Sequence, residues 1–481
     1  MSLNMALSSA LSGLHLTARA TTVVADNLAN AQTEGYGVRI LEQGARVTGS
    51  SGNGVQIHGI SRNVNPAVLQ EVRSARSESA QAKDVTEFWR AMEARIGMPD
   101  EAGSLVGKIE ALELALAQAT SFPDSTANLY EVARSAEALA QNVREASSFI
   151  AERRDRADAT IARDVEKLNA NLKEIADLNR NISRQTSLGG EPQALMDVRQ
   201  RLIDETAEIV PLREIAREHG AVMLLAADGS ILVDRTASEF GFTRTVAPDP
   251  SETRANGGLS GLTLNGRDVP ESSMLYSTGR LGANFEIRDA ATVSAQKKLD
   301  DLTSTIVESF AGEGADPTLG PNDFGLFELD GLVAIPADRT GISTLLTLTP
   351  RINPEDPQDL RKIQSGLEAA VPSPTWENAQ LRRLQNVLQD RVALTDTPGP
   401  RLTLHEHAAG LLSEISTRRL DAERALTTAT VRSEMLAEEL ATYGVDTDAE
   451  LSRLLLLEKA YAANARVIST ADMMLRTLLE I

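Results

Sequence analysis

NLANAQTEGYGVRI, residues Asn27 to Ile40, ends a long helical pattern and begins something else. Leading into it, Leu7, Leu11, Leu14, Ala18, Thr21, Ala25 and Leu28, the last already within the stretch, step by four and three, the spacing of a heptad seam. Within it, Gly35 and Gly37 break the helix around one of only five tyrosines. After it, GVQIHGI (Gly54 to Ile60) alternates behind the turn cluster SSGNG. Residues 36–62 therefore read as an extended, hairpin-like arm. The N-terminal seam is narrow and built of small residues. Thr21, Thr22, Val23 and Val24 are β-branched and each costs up to about 0.7 kcal/mol of helix propensity against Ala. Such a helix is marginal alone and needs a partner.

A matching seam stands at the other end. Leu454, Tyr461, Ile468 and Leu475 repeat by seven, with Leu457, Ala471 and Leu478 beside them, after a break at YGVDTDAE in which Asp448 is an N-cap candidate. Between the ends, helical periodicity dominates from Pro66 to Pro211. Its longest run, from Leu129 to Ile182, is a helix of roughly sixty residues, on the order of 90 Å. Past Pro211 the pattern changes. AVMLLAADGSILVD reads as two strands joined at Asp228-Gly229, and Asn265-Gly266 is a second hairpin signal. A helix over about 290–311 follows, then a short mixed segment, then helices to the C-terminus. No internal repeat beyond the heptads is present.

The predicted fold class is mainly α with inserted β: coiled-coil-like N- and C-terminal helices, a long helical bundle, and a β-rich middle domain. The expected organisation is an axial helix and arm (1–62), a helical bundle (63–210), a β-rich domain (211–288) and a return helix (289–312). A small mixed or irregular segment (313–375), a helical return (376–448) and a terminal helix (449–481) complete it.

Composition narrows the function. The 481 residues carry a net charge of −20 and no basic run, which argues against nucleic acid and anionic membrane as partners. No apolar run approaches the roughly 18 residues of a spanning helix. Aromatics are 3% of the chain, so the core is expected to be aliphatic and helical. The absence of cysteine rules out disulfides, thiolate metal sites and a cysteine nucleophile. The N-terminal twenty residues lack a positive n-region and a continuous apolar core, so no cleaved Sec signal is expected.

The sequence carries no catalytic constellation. His405 and His407 in HEH are two apart, on different sides of a helix, where a zinc pair wants i, i+4. Solvated or capping roles suit them better. The run AERRDRAD reads as a solvated face with weak ion pairs. No nucleotide-binding, hydrolase or calcium-loop motif occurs, so no catalytic residue, cofactor or metal is expected and the chain is read as a non-enzyme.

The two ends carry a resemblance. NLANAQTEGYGVR resembles the N-terminal signature of the bacterial flagellar axial proteins, and EKAYAANARVISTADMMLRTLLEI resembles their C-terminal motif. Within that family the long helical region before the β material is similar to the hook-associated branch. LMDVRQRLIDETAEIVPL and RDAATVSAQKKLDDLTSTIVESF are similar to segments of the same branch. The resemblance implies that Asn27, Asn30, Gly35, Tyr36 and Arg39 lead the chain out of the terminal helix, Gly35 supplying a positive φ and Tyr36 an anchor with an apolar ring and polar tip. An ordinary helix C-cap with a buried tyrosine is the plainer alternative. It further implies a structural adaptor between hook and filament, serving as the platform for filament assembly. That adaptor would be a ring of about eleven copies of itself, contacting hook protein on one side and a second hook-associated junction protein on the filament side. The implied location is extracellular, in the flagellum, reached through the flagellar export apparatus without a cleaved signal, with an export chaperone at the C-terminal helix. Leu7, Leu11, Leu14, Ala18, Ala25, Leu28, Leu454, Tyr461, Ile468, Leu475 and Leu478 are the expected subunit contacts. A hook or distal rod protein is the alternative within the family. An intracellular coiled-coil binding protein or enzyme is the alternative outside it.

Overall fold

The computed structural model describes residues 3–33, 35–48, 51–321, 323–394 and 399–479. From the N-terminus come α1 (Leu3–Ala29), the antiparallel strands β1 (Val38–Thr48) and β2 (Ser51–Asn63), α2 (Pro66–Ile96), α3 (Leu105–Ser121), the 62-residue α4 (Thr126–Ser187) and α5 (Gln193–Ile209). Short strands β3 (Leu212–Ala216), β4 (Val222–Ala226), β5 (Ile231–Val233), β6 (Phe240–Gly241), β7 (Thr263–Leu264) and β8 (Arg267–Asp268) follow. Helix returns in α6 (Gly279–Glu286), a π-type stretch (Ile287–Ala291), α7 (Thr292–Ser309) and the single turn α8 (Gly312–Ala315). The hairpin strands β9 (Phe327–Leu329) and β10 (Leu346–Leu348) precede α9 (Pro357–Ser365), α10 (Ala379–Gln389), α11 (Leu404–Ala441) and α12 (Thr447–Leu479). The fold is mainly α with β inserted in the middle and helices at both ends.

Local chemistry sets these limits. Asn65 Oδ1 accepts from the Ala67 amide and Pro66 begins α2, a first-turn position where its missing N–H costs nothing. Ser104 accepts from Gly107 at the start of α3. At the end of α4, Gly189 takes φ +73° while Gly190 N–H bonds back to Gln185. The Asn265-Gly266 turn has φ of +52° and +76°, as a two-residue hairpin requires. The cap of α12 is Asp446 and not Asp448: its Oδ1 accepts from the amides of Asp448 and Ala449, both at 3.0 Å. In HEH, Glu406 and Thr403 form a reciprocal capping pair at the start of α11, and His407 Nε2 lies 2.9 Å from the Val392 carbonyl.

The chain divides into two compact units that interleave along the sequence. The first comprises Met1–Ser79, Glu166–Phe240 and Ala429–Ile481; the second comprises Ala80–Val165 and Gly241–Thr428. The first unit is tied together by polar side chains at its element crossings. Asn179 of α4 pairs with both backbone groups of Val222 in β4 and accepts from Arg199 of α5. Arg73 of α2, nearly fully buried, donates to Asp204 of α5 and Glu214 of β3.

The second unit has one large aliphatic core. It joins α3, the first half of α4, α7, α10, β9, β10 and the start of α11, with Phe310 edge-on to Phe327. Here the reading of AERRDRAD is corrected. Arg154 and Asp158 are buried, not solvated. Arg154 donates to the carbonyls of Arg288, Asp249, Pro250 and Glu252. Asp158 meets Arg288 at 2.7 Å, both side chains 0% exposed, and Arg288 also holds Asp289 and the Ser260 carbonyl. The reason is tertiary. A glycine- and proline-containing loop over 245–262 turns carbonyls toward Arg154 and Arg288, whose guanidiniums satisfy them, and its Thr245 amide donates to Asp158.

Candidate assembly site at the chain ends

The site is built where the two chain ends meet within the first unit. α1 and α12 run antiparallel. Gly13 lies so close to Asn464 that a Cβ would stand 2.7 Å from its Nδ2, while Asn27, fourteen residues on (27 − 13), bonds Glu450. A second side of α1 carries the arm: the Val55 amide of β2 donates to Ser12 Oγ at 3.1 Å.

Asn27 is fully buried, and its amide is the centre of the signature turn. Nδ2 donates to the Arg39 carbonyl at 2.9 Å and to Glu450 Oε1 at 3.0 Å. Oδ1 accepts from the Arg39 amide at 2.9 Å and from the Tyr36 hydroxyl at 2.8 Å. Two donors and two acceptors are the whole capacity of an asparagine side chain, and all are used. The Arg39 guanidinium lies over the Tyr36 ring, 5.1 Å from its centroid, and bonds Asp26 at 2.9 Å. Burial pushes the Tyr36 phenol up to about 12, with Arg39 opposing. Asp197 of α5 closes the turn from outside. It accepts from the Gly37 amide at 3.1 Å, pairs with Arg62 at 2.8 Å, and stands 3.5 Å from Arg39. Gly35 has φ +78°, a conformation that favours glycine.

Of the signature residues, Asn27, Tyr36 and Arg39 are thus brought together. Asn30 plays a local part, donating to the Asp26 carbonyl at 2.9 Å and accepting from Thr33. Sequence reasoning missed Glu450, Asp197 and Arg62. Glu450 carried one signal: it shares the heptad position of Leu457, Asn464 and Ala471, where a lone carboxylate on a covered face calls for a partner.

The seam positions fall otherwise than a coiled-coil core would place them. α1 buries Ala10, Thr17, Ala20, Val23, Val24 and Asn27 within the chain, a stripe one residue behind the leucine seam. Leu11 stays 50% exposed, and Ala18, Ala25 and Leu28 are exposed too, while Leu7 and Leu14 are half-buried. On α12, Leu454, Ile468 and Leu475 are half-buried and Tyr461 is 50% exposed. The Leu478 side chain lies outside the described residues. α12 also shows Leu455, Leu456, Met473 and Met474 to the outside.

Among the described residues, no group of three or more His, Cys, Asp or Glu side chains is placed to hold a metal, and no helix is long and apolar enough to cross a membrane.

Comparison with known proteins gives three family matches. The profile described as flagella basal body rod protein covers residues 7–36, that of the flagellar basal body rod FlgEFG protein C-terminal covers 438–481, and that of the flagellar hook-associated protein FlgK helical domain covers 92–312. Rod-type matches at both ends, on a helical fold closed by an antiparallel terminal pair, make the chain similar to the class of bacterial flagellar axial proteins. Within that class the chain is similar to flagellar hook-associated protein 1. The Salmonella typhimurium protein of that name is 25% identical over 332 residues, 66% of this chain and 58% of that protein. The Escherichia coli one is 22% identical, the alignment covering 99% of each. The chain thus spans less than two thirds of the Salmonella relative it matches. A solved structure titled as the flagellar hook junction protein FlgK from Burkholderia pseudomallei aligns with a TM-score of 0.45 at 16% identity, over 54% of this chain and 46% of that one.

Proposed function

We propose that this chain is the structural adaptor between the hook and the filament of a bacterial flagellum and the platform on which the filament assembles, with no catalytic role. The observation that carries this reading is the uncovered seam. α1 gives one side to α12 and another to the arm, yet leaves Leu11, Ala18, Ala25 and Leu28 in water. α12 leaves Tyr461 and Met473 exposed as well, Met473 at 66%. Faces of small and apolar residues on a conformationally marginal helix suit close packing against further copies. A closed ring of about eleven subunits is the arrangement proposed, with head-to-tail contacts. Hook protein would meet one face, and a second hook-associated protein the filament-side face. The subunit contacts proposed are the seam residues of α1 and α12 named above. Passage through the flagellar export apparatus without a cleaved signal, with a chaperone holding α12 until then, completes the reading. A chain without cysteine suits passage unfolded.

The test is complementation. In a strain deleted for this chain, the wild-type sequence should restore filaments on existing hooks. Leu11→Asp or Ala25→Asp should leave hooks bare, although the purified variants unfold at the same denaturant concentration as the wild type. Normal filaments with both variants would overturn the assignment of the seam. A failure of the wild-type chain itself to restore filaments would overturn the adaptor.

A further inference from the structure

We propose that Asn27 and Glu450 are the residues that select the register of α1 against α12, and that Gly13 and Asn464 are the second point of the same lock. The covered face of α1 is Ala10, Gly13, Thr17, Ala20 and Val24, and the facing positions of α12 recur every seven residues at Glu450, Leu457, Asn464 and Ala471. Small side chains on one helix and a heptad on the other make a poor ruler. Sliding by seven residues brings the same face of α12 back opposite α1, and the small side chains of α1 offer few apolar knobs to reject it, so apolar packing discriminates weakly between registers.

Two contacts break that degeneracy. Asn27 bonds Glu450 and Gly13 admits Asn464. The contacts are two heptads apart on both helices, since 27 − 13 and 464 − 450 are each 14. They are therefore satisfied together in one register. Slide α12 by seven in one direction and Asn27 faces Leu457, leaving a buried N–H without an acceptor, while Gly13 faces Ala471. Slide it in the other and Asn27 passes beyond the start of α12 at Thr447, while Gly13 faces Leu457. Neither alternative can use the four-fold capacity of the Asn27 amide.

Glu450 adds an independent sign. Its side chain is buried, and its Oε2 has no hydrogen-bond partner among the described residues. A leucine there would pack without leaving a carboxylate oxygen unmet. A buried polar pair held at a cost to stability is the known device for specifying register in helix pairs. Asn27 also binds Tyr36 and both backbone groups of Arg39, so the same residue sets the pairing of the chain ends and the path of the exit. The pairing exists within one chain, so it is testable apart from any ring.

The chain has no cysteine, so a label pair can be placed in the full-length protein by His15→Cys and Ala463→Cys, both at exposed positions. Pulsed electron-spin distance measurement should give one narrow distribution for the otherwise wild-type chain. Asn27→Leu and Glu450→Leu should each broaden it or add a population displaced by about one heptad, roughly 10 Å along the axis. Glu450→Gln keeps an acceptor oxygen and should keep the single distribution. Glu450→Leu combined with Leu457→Asn moves the polar partner by seven residues and should make the displaced population dominant. A single unshifted distribution in Glu450→Leu and in the combined variant would overturn the proposal. If Asn27→Leu loses the helix pair altogether, as read by circular dichroism, these two α12 variants decide alone.

Discussion

The hydroxyl of Tyr36 donates to Oδ1 of Asn27 across 2.8 Å, and this bond closes the loop between the end of α1 and the start of β1. Burial holds the Tyr36 phenol at about 12, above its ordinary 10.0. The folded state therefore binds the phenolic proton more tightly than the unfolded chain does. The contribution is complete below pH 10 and is lost as the pH rises from 10 toward about 12, because the unfolded state gives up its proton first. Denaturant titrations across that range should show stability falling with pH in the wild type and a shallower fall in Tyr36→Phe. Equal slopes in the two proteins would remove Tyr36 as the cause.

Asn27→Ala should be far more damaging than its size suggests. It strips partners from the Tyr36 hydroxyl, from both backbone groups of Arg39 and from Glu450 at once. At about 1–3 kcal/mol for each buried group left unmet, a loss of roughly 3 kcal/mol or more is expected. Asn27→Asp should be worse at neutral pH, because it turns a donor facing Glu450 into a second carboxylate. Chemical denaturation of the three proteins measures both, and a loss below about 1 kcal/mol for Ala would contradict the geometry.

Gly37→Ser should act through Arg62. A Cβ at Gly37 would stand 2.7 Å from Arg62 Nε, so the guanidinium must shift and its pairing with Asp197, at 2.8 Å, is disturbed. A cost of about 1–2 kcal/mol is expected. In an Arg62→Ala background the same substitution should cost markedly less. Additive losses in the double-mutant cycle would show that the two positions do not couple.

The buried pair of the second unit predicts an asymmetry. Asp158→Asn or Arg288→Met alone removes one partner of a fully desolvated contact and should cost about 3–5 kcal/mol. Asp158→Leu together with Arg288→Met should cost less than the sum of the singles, since no charge of that pair is then stranded. Calorimetric unfolding of the variants decides it.

Much of the architecture was legible in the chain because its causes are local. Helices α1 to α5 follow from three-and-four periodicity. The hairpins at Asp228-Gly229 and Asn265-Gly266 follow from turns that only a few residues adopt cheaply. The signature turn, too, shows itself in sequence as a tyrosine between glycines. What local pattern could not decide was which of two neighbouring candidates prevails. Asp446 caps α12 in place of Asp448, a matter of where the helix begins by two residues. Arg154 and Asp158 have the sequence of a solvated face, and became buried because distant segments brought carbonyls for Arg154 to donate to and, in Arg288 and the Thr245 amide, donors for Asp158 to accept from.

Sequence by itself determined that both ends are helical, that each carries a seam repeating by seven, and that a glycine-flanked tyrosine follows the first. Those properties depend on residues within a few positions of one another. Tertiary structure alone decided which stripe of α1 faces inward. It chose Ala10, Thr17, Ala20 and Val24 over the seam positions Leu11, Ala18, Thr21 and Ala25 one residue away, a rotation of about 100°. Small residues let two backbones approach closely, so the inner face need not be the more hydrophobic one. It alone decided, too, that the amide of Asn27 finds its partner in Glu450, 423 residues later. No local preference joins positions so far apart; their meeting follows from the packing of the whole first unit.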